Sequence, residues 1–161
     1  MSSTFHLYIT DETKFPQTLS GTDAEKYEAL VNTVTNDFPL WETLELSILG
    51  YMMALEAIGI LAGSENFFAV LSFNNSPHNL LGDEPDIDGS FGYFTPQMVV
   101  DAFEVLQSLV EQIENYSEQC AAIVAAKESL DQDILEYVFY RYLSTFEEAA
   151  SRGHSITVIH E

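Results

Sequence analysis

The stretch DIDGSFGYFTPQMVVDAFEVL, from Asp86 to Leu106, contains the strongest local structural signals in the 161-residue chain. It begins in an acidic turn, because Gly82 and Gly89 permit positive φ and Pro85 holds φ at about −65°. The aromatic run FGYF that follows indicates a short strand, since aromatic side chains suit a half-buried pleated surface. The stretch therefore predicts a turn and a strand, followed by a helix.

That helix has a clear start and two distinct faces. Thr95 can cap the free N–H groups of the first turn, and Pro96 fits the first helical position, where no backbone donor is needed. At about 100° per residue, apolar side chains fall on one side and carboxylates on the other. The apolar side contains Val99, Ala102, Phe103, Leu106, Leu109, Val110 and Ile113. The opposite side contains Asp101, Glu104, Glu111, Glu114 and Glu118. The pattern predicts one helix over residues 97–118 with a row of carboxylates on its outer face.

The remaining pattern predicts an α+β fold. Strands are expected at residues 5–9, 91–94 and 156–159, and helices at 22–32, 41–61, 65–71, 97–118, 120–127 and 129–151. Gly153 is expected to end the last helix in the left-handed conformation. This order predicts a small, mostly antiparallel sheet that joins both termini to residues 91–95 and packs against several helices. No repeat or linker divides the sequence, so residues 1–161 are expected to form a single domain.

The charge balance restricts the kinds of partner that the chain can bind. It has 26 acidic residues against five basic ones, which gives a formal net charge of −21. Direct binding to nucleic acid is disfavoured, because phosphate recognition needs a basic surface. Encounter with a basic protein is favoured by electrostatic steering. A salt-adapted or very soluble protein would have the same composition, and the sequence leaves both explanations open.

The sequence contains no pattern that places the chain in a membrane or in a secretory route. The single cysteine, Cys120, excludes an internal disulfide framework. Residues 1–19 lack the basic start and apolar run of a secretory signal. The most apolar stretch, residues 47–62, contains Glu56 and is shorter than the ~20 residues that a bilayer requires. A cytoplasmic protein with no membrane partner is expected.

Three motifs together resemble the YfbM-like bacterial family, a group of α+β domains without an assigned biochemical function. They are LAGS at 61–64, DIDGSFGYFT at 86–95 and RGHSITVI at 152–159, and their order and spacing fit over most of the chain. Members of that family often have a Trp and a His on the helix before the glycine corner, where this chain reads ALEAI at 54–58. The resemblance implies a single α+β domain and supplies no catalytic residue.

No metal or cofactor is expected from the spacing of the potential ligands. The acidic loop resembles part of a calcium-binding loop, but alignment with an EF-hand puts Thr95 where the bidentate Glu is required. A turn before the strand is therefore the favoured interpretation. The four histidines, His6, His78, His154 and His160, show no HxH, HxxxH or HExxH spacing, although His6, His154 and His160 can still meet through the sheet.

The sequence contains no established catalytic motif. There is no GxSxG, P-loop or GxGxxG sequence, and an apolar neighbourhood would raise the pKa of Cys120. Glu56 can serve as a general base, but a carboxylate at the rim of the fold or paired with Arg141 is the commoner arrangement. An enzyme or small-molecule binder with a pocket beside the sheet, using Tyr93, His154 and Glu56, stays open as one alternative.

The favoured hypothesis is a non-enzymatic inhibitor, such as an immunity protein that neutralises a basic bacterial toxin or nuclease by covering its active site or substrate groove. A second alternative is a nucleic-acid mimic that blocks an anti-phage defence complex, in the manner of anti-CRISPR or anti-restriction proteins. In both cases acidic side chains meet a basic protein surface. The residues predicted to bind the partner are Asp83, Glu84, Asp86, Asp88, Asp101, Glu104, Glu111, Glu114 and Glu118.

Overall fold

The computed structural model of the chain describes residues 2–63 and 67–160. Four strands form one antiparallel sheet in the order β2-β1-β4-β3, with β1 at Ser3–Thr10, β2 at Leu40–Leu46, β3 at Ser90–Phe94 and β4 at Ser155–His160. Seven α-helices lie in the described residues: α1 Asp23–Asp37, α2 Ile48–Leu61, α3 Phe67–Phe73, α4 Pro96–Ser108, α5 Val110–Glu114, α6 Glu118–Ala125 and α7 Gln132–Arg152. Single 3-10 turns occupy Glu12–Lys14 and Pro77–Asn79. The prediction of an α+β fold is confirmed.

The centre of the sheet joins the two ends of the chain. β4 pairs antiparallel with β1 on one side, where Leu7 lies opposite Val158. It pairs antiparallel with β3 on the other side, where Gly92 lies opposite the same Val158. The predicted connection of both termini to the strand at 91–95 is therefore confirmed.

The two faces of the sheet are covered by separate groups of buried side chains. Alternation along β1 points Phe5, Leu7 and Ile9 towards the layer formed by α2, α4 and α7. Tyr8 points to the opposite face, where it shares a buried cluster with Leu30 of α1 and with residues of β3 and β4. The larger layer of helices is thus on one face, and α1 lies on the other.

The chain contains a fourth strand that the sequence pattern did not predict. Residues 40–46 form β2, whereas the helical pattern predicted one helix from residue 41 to residue 61. Leu44 is buried opposite Phe5, and Ser47 begins α2 by accepting a hydrogen bond from the Gly50 N–H at 3.0 Å. The prediction of a helix at the start of this stretch was wrong. A short apolar pattern fits a helix or a strand, and pairing with β1 makes residues 40–46 a strand.

The predicted helix over residues 97–118 is also wrong, because the chain forms three helices there. α4 ends at a turn at Leu109, and α5 ends before Tyr116, whose φ of 46° lies in the left-handed region. Ser117 then caps α6, with its hydroxyl accepting a hydrogen bond from the Cys120 N–H at 3.2 Å. The apolar stripe continues across both breaks because each short helix presents an apolar side chain to the same core.

Most of the predicted helix termini are confirmed. Thr95 caps α4, accepting a hydrogen bond from the Met98 N–H at 3.2 Å, and Asp131 caps α7 in the same way. Thr22 caps α1 in a capping box, and Gly153 ends α7 with a φ of 69°. These are contacts within one turn of the chain, which is why local sequence predicts them.

Four predicted helices have different bounds in the structure, among them α6, which covers Glu118–Ala125 in place of 120–127, and α7, which covers Gln132–Arg152 in place of 129–151. α1 continues to Asp37, past the predicted end at Asn32. α3 covers residues 67–73 in place of the predicted 65–71, and residues 64–66 lie outside the part of the chain that the structure describes. No helix within residues 2–63 and 67–160 is both long and apolar enough to cross a membrane.

Candidate interaction surface

The carboxylates predicted to bind a partner all lie on the surface. Each of the nine is exposed: Asp83, Glu84, Asp86, Asp88, Asp101, Glu104, Glu111, Glu114 and Glu118. Two ion pairs are found among the described residues, Glu56 with Lys127 and Glu148 with Arg152, and neither involves any of the nine. No basic side chain of the described residues thus neutralises these carboxylates at close range, so their charge acts outward into solvent.

The nine carboxylates belong to two different parts of the fold. The loop at 83–88 packs beside α1, where the Asp86 N–H donates a hydrogen bond to Asp23 Oδ2 at 2.9 Å. The other five lie on α4, α5 and the start of α6, in the layer of helices on the opposite face of the sheet. The row is interrupted at Leu109 and Tyr116, so its members do not follow a single helix axis.

The loop also borders an open cleft with a volume of about 500 Å³. The polar lining includes Asn74, Ser76 and Asp83, and Ser90 faces it from the start of β3. The Ser90 hydroxyl oxygen is buried without a hydrogen-bond partner. The cleft is mostly polar and acidic, and nothing in it defines one class of ligand.

A second surface feature lies where β2 meets α7, and the sequence pattern did not predict it. Leu7 pairs with Glu42 and Tyr8 pairs with Leu40, so Trp41 is the extra residue of a β-bulge. The indole Nε1–H of Trp41 donates a hydrogen bond to Ser144 Oγ of α7 at 3.2 Å. The bulge thus turns the single tryptophan of the chain onto the outer surface of α7.

Trp41 forms one wall of an open cleft of about 430 Å³, which we call the Trp41 cleft. It is lined by Trp41, Tyr140, Leu143, Ser144, Glu147, Glu148 and Ser151. The Arg152 guanidinium lies over the indole, with 5.3 Å between Cζ and the ring centroid. Arg152 Nε also lies 3.5 Å from Glu148 Oε2, so one arginine of the chain already lies between an aromatic ring and a carboxylate.

The Trp41 cleft is electrostatically connected to the acidic helices. Partial burial raises the pKa of the Tyr140 hydroxyl, and the negative charges of Glu114 and Glu136 raise it further. Glu114 is one of the carboxylates of the predicted partner-binding row. One residue of that row therefore acts on the hydroxyl of Tyr140, which lines the cleft.

Tyr93 and Glu56, two of the three residues of the predicted enzyme pocket, belong to opposite faces of the sheet, because Tyr93 lies in the cluster beside α1 and Glu56 lies on α2. The Tyr93 hydroxyl donates a hydrogen bond to Glu12 Oε2 at 2.6 Å, and burial followed by that carboxylate raises its pKa. Glu56 lies on α2 with Lys127 Nζ 3.5 Å away, and does not pair with Arg141. Arg141 instead lies over the Tyr137 ring at 3.8 Å.

Cys120 and two of the histidines, His6 and His160, make contacts within the fold. Cys120 is buried, and burial raises the pKa of its thiol, which disfavours the nucleophilic thiolate. His6 Nδ1 lies 3.3 Å from Thr43 Oγ1, and the His160 ring stacks on Phe5 at 4.6 Å. Within residues 2–63 and 67–160, no group of three His, Cys, Asp or Glu side chains is arranged to hold a metal ion.

Comparisons with known proteins give a weak structural likeness. No protein-family model matches the sequence, and no curated protein matches it. Among solved structures, the chain is similar to the crystal structure of YfbM from Escherichia coli, a protein of unknown function, with 11% identity and a TM-score of 0.43. The alignment covers 99% of each chain. A likeness at this level assigns neither a family nor a function.

Proposed function

We propose that this chain is a non-enzymatic binding protein that covers a basic surface of another protein, as an immunity protein covers a bacterial toxin or nuclease. The observation that carries the proposal is the set of nine exposed carboxylates, none of which pairs with a basic group of the described residues. Ordinary solvated faces mix charges of both signs. With five basic residues in the whole chain, this surface has the opposite character to a phosphate-binding groove.

The main physical advantage of such a surface is faster association with a basic partner. A net charge of −21 attracts a basic partner over a distance of about a Debye length, roughly 8–10 Å at physiological salt. Complementary charge raises the association rate and orients the partner during encounter. A partner with a Lys- and Arg-rich groove, such as a nuclease, fits this requirement.

A nucleic-acid mimic is less favoured than direct cover of a basic surface. Mimicry requires carboxylates spaced along a line like the phosphates of a strand. The row on α4–α6 is interrupted at Leu109 and again at Tyr116, so its carboxylates do not follow a single helix axis. Direct binding to a basic surface of the partner needs only a complementary acidic patch, and the interrupted row is such a patch.

Membership of the YfbM-like family and a cytoplasmic location form part of the same proposal. Support for the family comes from the sequence motifs at 86–95 and 152–159. The first forms the acidic turn and β3, and the second forms the end of α7 and β4.

The proposal is tested by affinity capture with a matched pair of charge-reversal variants. The chain is immobilised and exposed to nuclease-treated host lysate or to a set of purified basic toxins and nucleases, and elution follows a salt gradient. The test variant carries Glu104→Lys and Glu111→Lys. The control carries Asp37→Lys at the end of α1 and Glu45→Lys on β2, both exposed, which change the net charge equally away from the nine predicted carboxylates.

One basic protein is expected to elute at moderate salt from the native chain and from the control, and to bind the test variant roughly ten times more weakly. Equal retention by all three proteins would exclude the helices as the contact surface. Equal loss from both variants would mean that only net charge is recognised, which contradicts a specific inhibitor.

A further inference from the structure

We propose that the Trp41 cleft is the anchor that receives an arginine side chain of the basic partner. The inference rests on the proposed function, since the partner is the same, but it concerns a site that the acidic row does not include. The anchor combines the aromatic surface of Trp41 and Tyr140 with the carboxylate of Glu147.

The position of Trp41 is unusual for a large aromatic residue. It lies in an edge strand, at a bulge, and 36% of it is exposed, while the adjacent Leu40 is 49% exposed. Bulges commonly re-aim a side chain, and exposed tryptophans in clefts are frequent centres of binding energy in protein interfaces. The bulge therefore places a partly exposed aromatic surface on the edge strand beside α7.

The chain itself shows that the Trp41 ring accepts a guanidinium group beside a carboxylate. Arg152 lies over the indole at 5.3 Å and close to Glu148. Glu147, one residue earlier on α7, is exposed and has no basic partner among the described residues. The cleft thus contains a second carboxylate that a guanidinium from a partner can engage in the same way.

The chemistry of the lining selects arginine over other side chains. Arginine stacks its planar group on aromatic rings and pairs with a carboxylate at the same time, whereas the compact ammonium of lysine is more strongly hydrated. An apolar side chain would leave Glu147 unpaired, and a phosphate would be repelled by it. The negative charges of Glu114 and Glu136 near Tyr140 extend the preference for a basic segment beyond the cleft itself.

The single tryptophan allows direct observation of the site. The probe is a hexapeptide of alternating Arg and Gly with blocked ends, compared with the equally charged Lys peptide and a neutral citrulline peptide. Binding is followed by Trp41 fluorescence and independently by calorimetry at low salt. The Arg peptide is expected to bind roughly two- to fivefold more tightly than the Lys peptide, and the citrulline peptide to show no binding.

Three substitutions locate the contact. Glu147→Gln is expected to weaken the Arg peptide roughly two- to fivefold and to remove most of its preference over the Lys peptide. Glu28→Gln on α1 makes the same change of charge away from the cleft and is expected to leave binding unchanged. Glu104→Gln tests whether the carboxylates on α4 contribute to peptide binding. Circular dichroism establishes that every variant is folded.

The outcomes separate this inference from the proposed function. Equal binding of Arg and Lys peptides, weakened by Glu104→Gln but not by Glu147→Gln, would overturn the arginine anchor and leave the acidic surface in place. Absence of binding by either basic peptide would overturn the anchor and count against the proposed function as well. An Arg preference that disappears in Glu147→Gln and persists in both other variants supports the anchor.

Discussion

The two edges of the sheet are built in opposite ways. At the β3 edge, Gly92 lies so close to α3 that a Cβ atom there would be 2.3 Å from the Ser72 carbonyl oxygen. The chain after α3 continues along this edge, where the Asn75 N–H donates to the Phe91 carbonyl at 3.2 Å. The Asn75 side-chain amide also donates to the Tyr93 carbonyl at 2.6 Å. This edge is closed by backbone and side-chain contacts.

The β2 edge is covered much less completely. The Glu45 N–H donates to the Tyr137 hydroxyl at 3.1 Å, and the bulge at Trp41 interrupts the regular pairing. Glu42 and Glu45 add negative charge along this strand. Bulges and charges are common protections of an exposed edge against pairing with other chains.

The difference between the two edges indicates which one contributes to stability and which one is available for binding. The closed β3 edge is almost entirely buried, so substitutions there should affect folding. The open β2 edge displays an aromatic ring beside carboxylates, so substitutions there should affect binding with little effect on folding. Four measurements of stability and exchange test this division, in order of decreasing effect.

The largest effect is expected for Gly92→Ala at the closed edge. The added methyl group would collide with the backbone of Ser72, and relief requires movement of β3 or α3. The free energy of unfolding is expected to fall by roughly 3 kcal/mol or more, measured by urea denaturation. Gly82→Ala is the control, because its φ of 79° is strained for alanine but its surroundings are open. That control should cost about 1–2 kcal/mol, and an equal loss in the two variants would contradict the closed edge.

The closed edge should also fail at alkaline pH. Ser72 Oγ lies 2.7 Å from the Tyr142 hydroxyl, which also bonds the Tyr51 hydroxyl, and burial raises the pKa of both tyrosines above 10. Their folded pKa values exceed the unfolded ones, so their contribution to stability is complete below about pH 10 and is lost as pH rises further. Tyrosinate absorbance from this pair should therefore appear only together with the loss of helical circular dichroism. Ionisation of all eight tyrosines in a folded chain would contradict this expectation.

A smaller loss is expected for Asn75→Ala, which removes the donor to the buried Tyr93 carbonyl. Leaving that acceptor unpaired should lower the free energy of unfolding by about 1–2 kcal/mol in urea denaturation. Asn74→Ala is the matched control, since that side chain is exposed. A control that loses as much stability as Asn75→Ala would show that the side-chain hydrogen bond does not hold the edge.

The smallest effect is expected for Tyr137→Phe at the open edge. The Glu45 N–H would lose its acceptor but would gain water, because Glu45 is exposed. The free energy of unfolding should change by less than about 1 kcal/mol. Hydrogen exchange at the Glu45 amide should become a few times faster, as NMR can measure, while exchange at β3 stays unchanged. A loss as large as that of Asn75→Ala would mean that the two edges are equally closed.

Local sequence determined the parts of the structure that depend on a few neighbouring residues. The caps at Thr95, Asp131 and Gly153 were predictable because each makes its contacts within one turn. The strand at 91–94 was predictable from its aromatic run. The acidic surface was predictable as well, since charge in such excess cannot be buried or paired.

Tertiary structure alone decided the course of the acidic row and the position of Trp41. β2 is a strand because β1 offered it a partner, and residues 40–46 hold no local signal strong enough to predict that pairing. The carboxylate row is broken because the short helices α4, α5 and α6 each pack on a shared core, which fixes their directions independently. Trp41 reaches α7 because a bulge shifts the register of β2 against β1. A register depends on how two distant strands pair, so the sequence of one strand does not determine it.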